Sequence, residues 1–351
     1  MYFIPDKLPI SGLDWQALAP LIGRANAKLS NYNGILHNMV NPKILLSPLT
    51  KQEAVLSSKI EGTRASLSDI YQKDLGEKYD QEKENDIEEI NNYRNALAFA
   101  TEDLTKRPIC LNMLRDIHFR LLAGVRGHNK KRGEFRTTDV FIGAAGDTIE
   151  NAKYVPPQYV DMLPALDNFE KYMHKEDEEI LVQLAILHAQ FEIIHPFNDG
   201  NGRMSRLLTL LLLYQNDYIV GKYISLEKLI ERTKDNYYEA LQESSQGWME
   251  DENNYEPFAK YILGIITAAY REFFDRAQIV EERKVSKPDR IEELIKNHLG
   301  TITKAEIVDA TPGISTTTVQ RTLTELVKAE KIIKIGNGRY TKYKWNWDKE
   351  I

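Results

Sequence analysis

The sequence predicts a mainly α-helical protein with little β-structure, and three observations support this fold class. Apolar residues recur at three- and four-residue spacing through long segments, with charged residues between them. β-branched and aromatic residues concentrate in two short places, near residues 138–143 and 331–345. A chain of 351 residues, 42% of them hydrophobic, is long enough to bury a sizeable core and to form two or three domains.

Composition argues against several classes of protein. Cys110 is the only cysteine, so an intrachain disulfide and a cysteine metal cluster are excluded, and a reducing cytoplasm is the expected location. The first residues lack a signal-peptide pattern. The longest apolar block, LLTLLLLY (207–214), is far shorter than the roughly 20 residues of a membrane span, so no membrane role is expected. A formal net charge of -6 argues against a protein that coats nucleic acid.

The first third of the chain is predicted to be helical. The segments at 49–72 and 85–104 have apolar residues on one helical face and charged residues on the other. The charged segment between them, GEKYDQEKEN (76–85), lacks apolar periodicity and is predicted as a solvated loop or a frayed helix start. Another helix is predicted around LNMLRDIHFRLLAG (111–124).

The middle of the chain predicts a short hairpin followed by two long helices. DVFIG (139–143) combines β-branched and aromatic residues before a glycine, which is typical of a strand. The segment at 178–197 is long and periodic enough for a central helix, and Pro196 is expected to end that helix. MSRLLTLLLLYQ (204–215) predicts the next helix, so the residues before it form a turn at a helix N-terminus.

The C-terminal part of the chain has the pattern of a winged helix-turn-helix. ERKVSKPDR (282–290) is charged, contains proline and is predicted to be a linker. Ser315 is predicted to cap the third helix of the domain. The helices are expected at DRIEELIKNHL, TKAEIVDATPG and STTTVQRTLTELVKAE, and a strand pair at KIIKIGNGRYTKYKW.

The tetrapeptide Gly-Asn-Gly-Arg occurs twice, and the flanking residues give each copy a different meaning. The copy at 336–339 lies between two strand-like runs, where Asn337-Gly338 is predicted to supply the positive φ angles of a tight hairpin turn. The copy at 200–203 lies at a predicted helix N-terminus. Free backbone N–H groups, the positive end of the helix dipole and glycines that allow close approach together favour an anion such as phosphate.

The residues around the first copy complete a candidate reaction site. Arg203 and Arg206 are three residues apart on one helical face, where both can bind phosphate oxygens, which indicates a polyphosphate. Asp199 offers a hard oxygen ligand suited to Mg²⁺. His195 has an ordinary pKa of roughly 6.5, suited to removing a proton from a hydroxyl near neutral pH. Phe197 is predicted to anchor the loop in the core.

Other histidines allow a competing interpretation. His188 precedes His195 by seven residues, so a zinc or dinuclear site with Asp199 is conceivable, but three such residues form a poor ligand set. A packed helix histidine is the favoured interpretation of His188 and of His118 and His298.

The motif HPFNDGNGRMSR (195–206) resembles the His-Pro-Phe-x-Asp-Gly-Asn-Gly-Arg-x-x-Arg signature of Fic-domain proteins. The segment at 45–66 is similar to the N-terminal region of that family, and NYYEAL (236–241) to its adenosine-side helix. GEFRTTDVFIG (133–143) is similar to its flap, and we call this segment the flap. The resemblance covers nearly the whole chain and implies a Fic-domain helical core with a small β-hairpin flap, an N-terminal helical region and a C-terminal winged helix.

The family resemblance implies an enzyme that transfers AMP from ATP to a Tyr, Thr or Ser hydroxyl of a target protein. It assigns His195 as the general base and Asp199 as the ligand of Mg²⁺. The residues expected at the phosphates are Gly200, Asn201, Gly202, Arg203 and Arg206. The motif leaves open other nucleotides, removal of the modification and transfer of other phosphate-containing groups.

Two further segments are implied to bind the adenosine part and the target. Tyr237 and Tyr238 match paired tyrosines of the family, whereas Ser245 stands where some relatives have asparagine. The flap residues expected over the nucleotide are Ile142, Gly143, Ala144 and Ala145. If residues 138–143 form an exposed strand, a target segment can add to it through main-chain hydrogen bonds; the alternative is an ordinary surface hairpin.

A regulatory glutamate is implied by SSKIEG (57–62). Ser57 and Glu61 are similar to the family's inhibitory Ser/Thr-x-x-x-Glu-Gly/Asn pattern, in which the glutamate pairs with the second arginine of the motif, here Arg206. The hypothesis is that Glu61 occupies the place of the γ-phosphate in the resting state and turns ATP into an unproductive pose. The alternative is a solvated helix glutamate.

The resulting domain prediction is an N-terminal helical region (1–110) that carries the inhibitory motif, a catalytic core (111–280) and a linker with the winged helix (281–351). The winged helix keeps alternatives open. Residues 285–351 hold 12 Lys and Arg against 9 Asp and Glu, a mildly basic balance. The protein is therefore either an enzyme with a possible homodimer or partner surface, or a DNA-binding regulator whose core senses ATP.

Overall fold

A computed structural model describes residues 5–38, 49–124, 131–143, 146, 148–152, 154–246, 253–282, 286–298, 300–311, 313–338 and 341–346. Ala144 and Ala145, which are predicted to cover the nucleotide, lie outside the described residues.

The described chain is mainly helical, as predicted. The helices are α1 (Trp15–Asn38), α2 (Leu49–Ile60), α3 (Leu67–Asp74), α4 (Gln81–Asp103), α5 (Leu111–Leu121), α6 (Tyr159–Met173), α7 (Ile180–Ile194), α8 (Asn201–Gln215), α9 (Leu226–Arg232), α10 (Lys234–Ser244), α11 (Glu256–Glu282), α12 (Lys287–Asn297), α13 (Lys304–Ala310) and α14 (Thr316–Lys328). The strands are β1 (Ile302–Thr303), β2 (Ile332–Ile335) and β3 (Lys342–Trp345). No helix among the described residues is long and apolar enough to cross a lipid bilayer.

The described residues divide into two compact units. The larger contains the described parts of Met1–Leu29, Thr50–Gly221 and Ser225–Tyr270. The smaller contains those of Ser30–Leu49, Lys222–Ile224 and Arg271–Ile351. The domain boundaries after residues 110 and 280 stay a prediction.

Helices α7 and α8 form the centre of the larger unit and pack against each other. Every residue of 181–191 in α7 and of 203–213 in α8 is buried, so both helices are covered on all sides. Helices α4 and α5 pack together, and both also contact α8. The loop between α7 and α8, residues 195–200, therefore begins and ends on rigid, fully packed helices; we call it the motif loop.

The N-terminal segment at 49–72 was predicted as one amphipathic helix, and this prediction is wrong at its middle. Helix α2 ends at Ile60, and a turn follows in which Gly62 has a φ of 101°. A side chain at this angle is disfavoured, so glycine suits the break. Glu61 thus lies one residue past the helix rather than inside it. The charged segment at 76–85 is part loop and part helix. Helix α4 begins at Gln81, and Asp80 caps its N-terminus.

The flap forms less β-structure than a continuous strand over residues 138–143 would. In its described part, one antiparallel bridge joins Ile142 to Tyr154. The N–H of Ile142 donates to the carbonyl of Tyr154 at 2.8 Å, and the N–H of Tyr154 donates back at 3.0 Å. The hairpin is therefore present as a single hydrogen-bonded pair.

The smaller unit has three helices and an antiparallel sheet in its C-terminal part. The strand order is β1-β3-β2, and the core beneath the sheet includes Ile291, Val319, Leu323 and Trp345. The Ser315 cap is confirmed, since its side chain accepts the N–H of Thr318.

Three details of this part differ from the sequence prediction. Strand β1 was not predicted, because two residues give too short a pattern. The linker predicted at 282–290 is shorter, since α11 continues to Glu282 and α12 begins at Lys287. The β2–β3 hairpin has a longer loop than the predicted two-residue turn, and its positive φ angles belong to Gly336 and Gly338 rather than to Asn337.

Candidate active site

His195 ends α7 in a left-handed conformation with a φ of 49°. This backbone geometry costs a non-glycine residue on the order of 1 kcal/mol, and it turns the chain sharply out of the helix. Burial lowers the pKa of the His195 ring to about 4, with a smaller contribution in the same direction from Arg136. The ring is therefore unprotonated at pH 7, as a proton acceptor must be.

The motif loop is held by side chains that occupy its interior. Phe197 is fully buried, as predicted, and its ring stacks on His118 with a centroid distance of 3.7 Å. His118 accepts the N–H of Gly133 on Nδ1 at 2.8 Å, so its Nε2 carries the proton and donates to the carbonyl of Asp199 at 3.0 Å. Burial lowers the pKa of His118 to about 4, which keeps this neutral form. The packed-histidine interpretation holds, with an added structural role at Asp199.

Asn201 has a structural role in addition to its expected position at the phosphates. Its Oδ1 accepts the N–H of Phe197 at 3.0 Å, and its Nδ2 donates to the carbonyl of Phe197 at 2.8 Å. The side chain is only 2% exposed. Both ends of the amide are thus engaged by the backbone of Phe197, and one N–H of Nδ2 is left over by these two bonds. The amide closes the motif loop onto the start of α8.

The first turn of α8 has the features of an anion site. Gly200 precedes the helix with a φ of 78°, and the first N–H groups of a helix lack partners within the helix. Gly202 lies in this turn, and a Cβ placed on it would overlap the carboxylate of Glu61. A negatively charged group therefore already lies against the predicted phosphate cradle.

Arg203 and Asp199 lie at one side of this turn. The Arg203 side chain is 6% exposed, and its nearest carboxylate oxygens belong to Glu89 at 3.6 Å and Asp199 at 3.8 Å. Both separations exceed a hydrogen bond. The Asp199 side chain is 42% exposed, and its Oδ1 accepts the N–H of Gly200 at 2.7 Å.

Asp199 fits a magnesium ion that is also bound by substrate phosphates. Mg²⁺ is commonly held by one or two carboxylates together with phosphate oxygens and water. The exposed Asp199 carboxylate beside an anion cradle meets this requirement. Within the described ranges, no group of three or more His, Cys, Asp or Glu side chains is arranged to hold a metal ion by itself.

Arg206 is the most heavily engaged residue of the site. Its side chain is 1% exposed, with Nη1 2.9 Å from Oε1 of Glu61 and Nε 3.0 Å from Oε2 of Glu227. Its Nη2 donates to the carbonyl of Ser57 at 3.1 Å and to the Ser57 hydroxyl at 3.2 Å. The predicted pairing of Glu61 with Arg206 is thus present, and Ser57 contacts the same guanidinium.

Glu227 contacts a different nitrogen of Arg206 from Glu61 and was not identified in the sequence. Its Oε1 accepts the hydroxyl of Tyr93 at 3.1 Å, and its backbone N–H donates to Glu53 at 3.1 Å. Burial raises the pKa values of both Glu53 and Glu227, while the Arg206 charge lowers that of Glu227. An ionised Glu227 beside Arg206 is the arrangement that these contacts favour.

A cavity of about 210 Å³ opens beside the site, between the flap, α7 and α10. Its walls include three predicted residues, Ile142, Tyr238 and Ser245. They also include five residues that were not predicted: Tyr154, Glu192, Ile193, Leu241 and Gln242. Apolar walls with a few polar groups and an aromatic face are typical of small-molecule sites.

Tyr237 does not line this cavity and lies in the core instead. It is 1% exposed, and its hydroxyl lies 2.9 Å from Nε2 of His188. The other ring nitrogen of His188 lies 2.7 Å from the hydroxyl of Thr209. His188 is therefore a packed histidine, and the predicted contact of Tyr237 with the nucleotide is not supported, whereas its neighbour Tyr238 faces the cavity.

Glu192 is the charged residue of the cavity wall. It lies three residues before His195, and its Oε1 accepts the hydroxyl of Ser205. Burial raises the pKa of Glu192 to about 7, opposed by the Ser205 hydrogen bond. Its protonation state therefore changes near neutral pH.

The missed cavity residues carried a usable sequence signal. Tyr238, Leu241, Gln242 and Ser245 recur at the spacing of one helical face, so Tyr238 and Ser245 could have identified the other two. Glu192 is the single charged residue in an otherwise apolar helical segment, and such a buried charge indicates a functional or paired residue. Glu53 and Glu227 lack such a signal, because their partners lie far away in the chain.

Comparisons with known proteins are consistent with this site. Residues 19–102 match the family model described as the N-terminal part of the Fic/DOC family, and residues 108–213 match that of the Fic/DOC family itself. The two matches together include more than half of the chain and contain the motif and Glu61.

Curated relatives are similar over part of their length. A probable protein adenylyltransferase from Aquifex aeolicus (strain VF5) is 26% identical over 217 residues, which are 58% of this chain and 57% of the relative. A protein adenylyltransferase Fic from Culex quinquefasciatus is 31% identical over 157 residues, 44% of this chain and 27% of the relative. The chain thus spans between about a quarter and three fifths of these relatives.

Solved structures share the fold. A Fic family protein from Desulfovibrio desulfuricans G20 has a TM-score of 0.60 at 21% identity, covering 97% of this chain and 98% of that one. Fic-1 (residues 134–508) from C. elegans has a TM-score of 0.57 at 20% identity, covering 76% of this chain and 74% of that one. At these identities the likeness concerns the fold alone.

Proposed function

Because this chain belongs to the Fic/DOC family, we propose that it is a protein adenylyltransferase that transfers AMP from ATP to a hydroxyl side chain of a target protein. The curated relatives named protein adenylyltransferase support this activity, and the site supplies the groups that it requires. The observation that carries the proposal is an unprotonated His195 at the edge of an anion cradle that also holds Arg203 and Arg206.

The reaction follows from the positions of these residues. His195 removes the proton of the target hydroxyl as the hydroxyl oxygen forms a bond to the α-phosphorus, and the bond from that phosphorus to the β-phosphate oxygen breaks to release pyrophosphate. Asp199 would hold the Mg²⁺, which neutralises phosphate charge when bound. The first N–H groups of α8 and the two arginines bind the phosphates. Positioning and charge stabilisation supply most of the catalysis in such transfers.

The nucleoside part of ATP is proposed to occupy the cavity between the flap and α10. The ring of Tyr238 offers a face for stacking, and Glu192, Gln242 and Ser245 offer hydrogen-bonding groups. The target is proposed to dock beside the flap, where Phe141 is 43% exposed and Gly143 is also exposed. Such docking places a hydroxyl near His195 with little demand on target sequence.

Glu61 is proposed to inhibit the resting enzyme. Its carboxylate pairs with Arg206 and lies against Gly202, so it occupies space and positive charge that the outer phosphates of ATP require. Ser57 assists by holding the same guanidinium through its carbonyl and hydroxyl. ATP bound in the presence of this contact would be misplaced, and transfer would be slow.

For residues 281–351 we propose a winged-helix domain. The surface of α14 exposes Thr316, Thr317, Gln320 and Arg321, which form a mixed polar surface suited to another macromolecule. A gel shift whose affinity falls steeply with salt would assign this surface to DNA. A concentration-dependent increase of molar mass in light scattering would assign it to a second copy.

Intact-mass spectrometry after incubation with ATP and Mg²⁺ tests the enzymatic proposal. We expect Glu61→Gly to gain the mass of AMP and to do so faster than the wild type. Glu61→Gly combined with His195→Ala should bind ATP and gain no mass. A gain equal to one phosphate group, or the same gain in the double variant, would contradict the proposed reaction.

A further inference from the structure

Arg136 is a fully buried arginine outside the motif, in the flap. It is 0% exposed, and burial lowers its pKa from the ordinary value. Four hydrogen bonds of its guanidinium go to backbone carbonyl oxygens. A buried charge is costly to keep, so a residue of this kind is expected to have a specific role.

The carbonyl groups that Arg136 contacts come from two places. At the motif loop, its Nε donates to the carbonyl of His195 at 2.9 Å, and its Nη2 donates to that of Ile194 at 3.3 Å. The backbone N–H of Arg136 donates to the carbonyl of Pro196 at 2.8 Å. Three consecutive residues around the general base are thus bonded to one residue.

The remaining bonds hold the two chain segments of the flap bridge. Nη1 donates to the carbonyl of Thr138 at 3.1 Å, and Nη2 donates to that of Pro157 at 2.6 Å. Thr138 precedes Ile142 in the first segment, and Pro157 follows Tyr154 in the second. The same guanidinium therefore ties the flap to the peptide that carries the catalytic imidazole.

The backbone of His195 explains why such a partner is needed. The last carbonyls of a helix lack partners within the helix, and the left-handed turn at His195 directs the chain away from helical continuation. Pro196 has no N–H with which to form a compensating bond. Arg136 satisfies these carbonyls, and its planar fork of donors fixes their directions in a way that a lysine cannot.

We propose that Arg136 is a positioning residue of the transfer reaction, which holds the His195 peptide in its left-handed conformation and keeps the flap at a fixed place relative to the imidazole. This inference rests on the proposed adenylyltransferase activity. It assigns to Arg136 the alignment of the target hydroxyl with the general base and leaves the binding of ATP to the arginines of α8.

A purely structural role makes a different prediction. If Arg136 only stabilises the fold, its replacement lowers the amount of folded protein, while the folded fraction keeps the kcat and KM of its parent. If it positions His195, the folded variant keeps its affinity for ATP and loses kcat. A displacement of about 1 Å at a reacting group costs on the order of 100-fold in rate.

The experiment compares Arg136→Lys and Arg136→Met in the Glu61→Gly background, with Arg94→Met as a matched control. Arg94 is a partly buried arginine of α4 in the same unit, and its Nη1 donates to Oδ1 of Asn91 at 3.0 Å. Folding is checked by circular dichroism, and Kd for ATP by calorimetry. Transfer is measured as AMP incorporation at several ATP concentrations. We expect roughly tenfold lower kcat for Lys and about 100-fold for Met, with Kd unchanged within about twofold.

A second readout does not depend on activity. In protein labelled with ¹³C-histidine, the His195 Cα resonance, identified by its loss in His195→Gln, reports the backbone conformation. We expect the chemical shift of this resonance to change in Arg136→Lys and to stay unchanged in Arg94→Met. A folded Arg136→Lys protein with parental kcat and an unmoved His195 resonance would overturn the proposal. If Arg136→Met does not fold, the kcat and the His195 resonance of Arg136→Lys test the proposal alone. If the Glu61→Gly parent transfers no AMP, the proposed adenylyltransferase activity fails, and the His195 resonance still tests the role of Arg136.

Discussion

Replacing Glu61 with glycine should activate transfer, because it removes one of the two carboxylates bound to Arg206. The ion pair is 2.9 Å long, and two unit charges at that distance attract by about 6 kcal/mol at an effective dielectric constant of about 20. The Glu61 side chain is 36% exposed, so solvent screening reduces this value strongly. Glu227 continues to compensate Arg206, which reduces the cost of separation further.

We therefore assign the Glu61 contact a net contribution of about 2 kcal/mol, which corresponds to roughly a 30-fold change in the competent population. Glu61→Gly should raise the initial rate of AMP incorporation by about 10- to 30-fold at low ATP. Glu61→Gln keeps the size and an acceptor oxygen but loses the charge, so its rate should lie between those of the wild type and Glu61→Gly. The assay is incorporation of labelled AMP at fixed protein concentration.

A matched control separates loss of the Arg206 contact from general loosening of α2. Lys59, two residues before Glu61, forms an ion pair with Glu231 at 2.6 Å and does not contact Arg206. Lys59→Ala should leave the rate near that of the wild type. An equal rise in Lys59→Ala, or an unchanged rate in Glu61→Gly, would refute the assignment of Glu61 as a competitor for Arg206.

Three further predictions follow from the same region. Glu227→Gln should weaken ATP binding in calorimetry by about tenfold in the Glu61→Gly background, because Arg206 loses the carboxylate that holds its guanidinium in position; an unchanged or lower Kd would contradict this. Gly202→Ala should disturb the Glu61 contact, since the added Cβ overlaps its carboxylate; in the Glu61→Gly background it should lower AMP incorporation again, because the methyl group lies where the phosphates approach, and incorporation equal to that of Glu61→Gly alone would contradict this. Burial lowers the pKa of His188 to about 3, so its contribution to the free energy of unfolding in urea should fall as the pH drops below about 6.5, by about 3 kcal/mol at pH 4. His118 and His195 act in the same direction, so His188→Gln should reduce the slope of stability against pH without abolishing it, and a slope parallel to that of the wild type would exclude the assignment.

The parts of the site that were predictable from sequence are those set by local chemistry. Pro196 ends α7, and glycine begins α8, so the motif loop follows from residues within a few positions of each other. The contact of Glu61 with Arg206 came from family resemblance, since nothing near either residue identifies the other.

The errors have equally physical causes. Tyr237 and Tyr238 are adjacent, so a helix directs their side chains to different faces, and a motif alone does not say which faces a cavity. The bonds of the Asn201 amide to the backbone of Phe197 were not predicted either, because the residue type alone does not say which groups its side chain contacts. Arg136 is bonded to carbonyl oxygens, and these carry no residue-specific signal in a sequence.

The break between α2 and α3 suggests a route by which the proposed inhibition would be relieved. Glu61 follows the last residue of α2 in a turn made by Gly62, so its side chain can leave Arg206 through rotation in the turn, without unwinding the helix. Ser57, in contrast, lies inside α2 and is fully buried. Arg206 keeps its contact with Glu227 when Glu61 leaves. Under the proposed inhibition, activation therefore requires displacement of one carboxylate from a guanidinium that Glu227 also holds, and a partner that moves the turn at residues 61–65 would favour it.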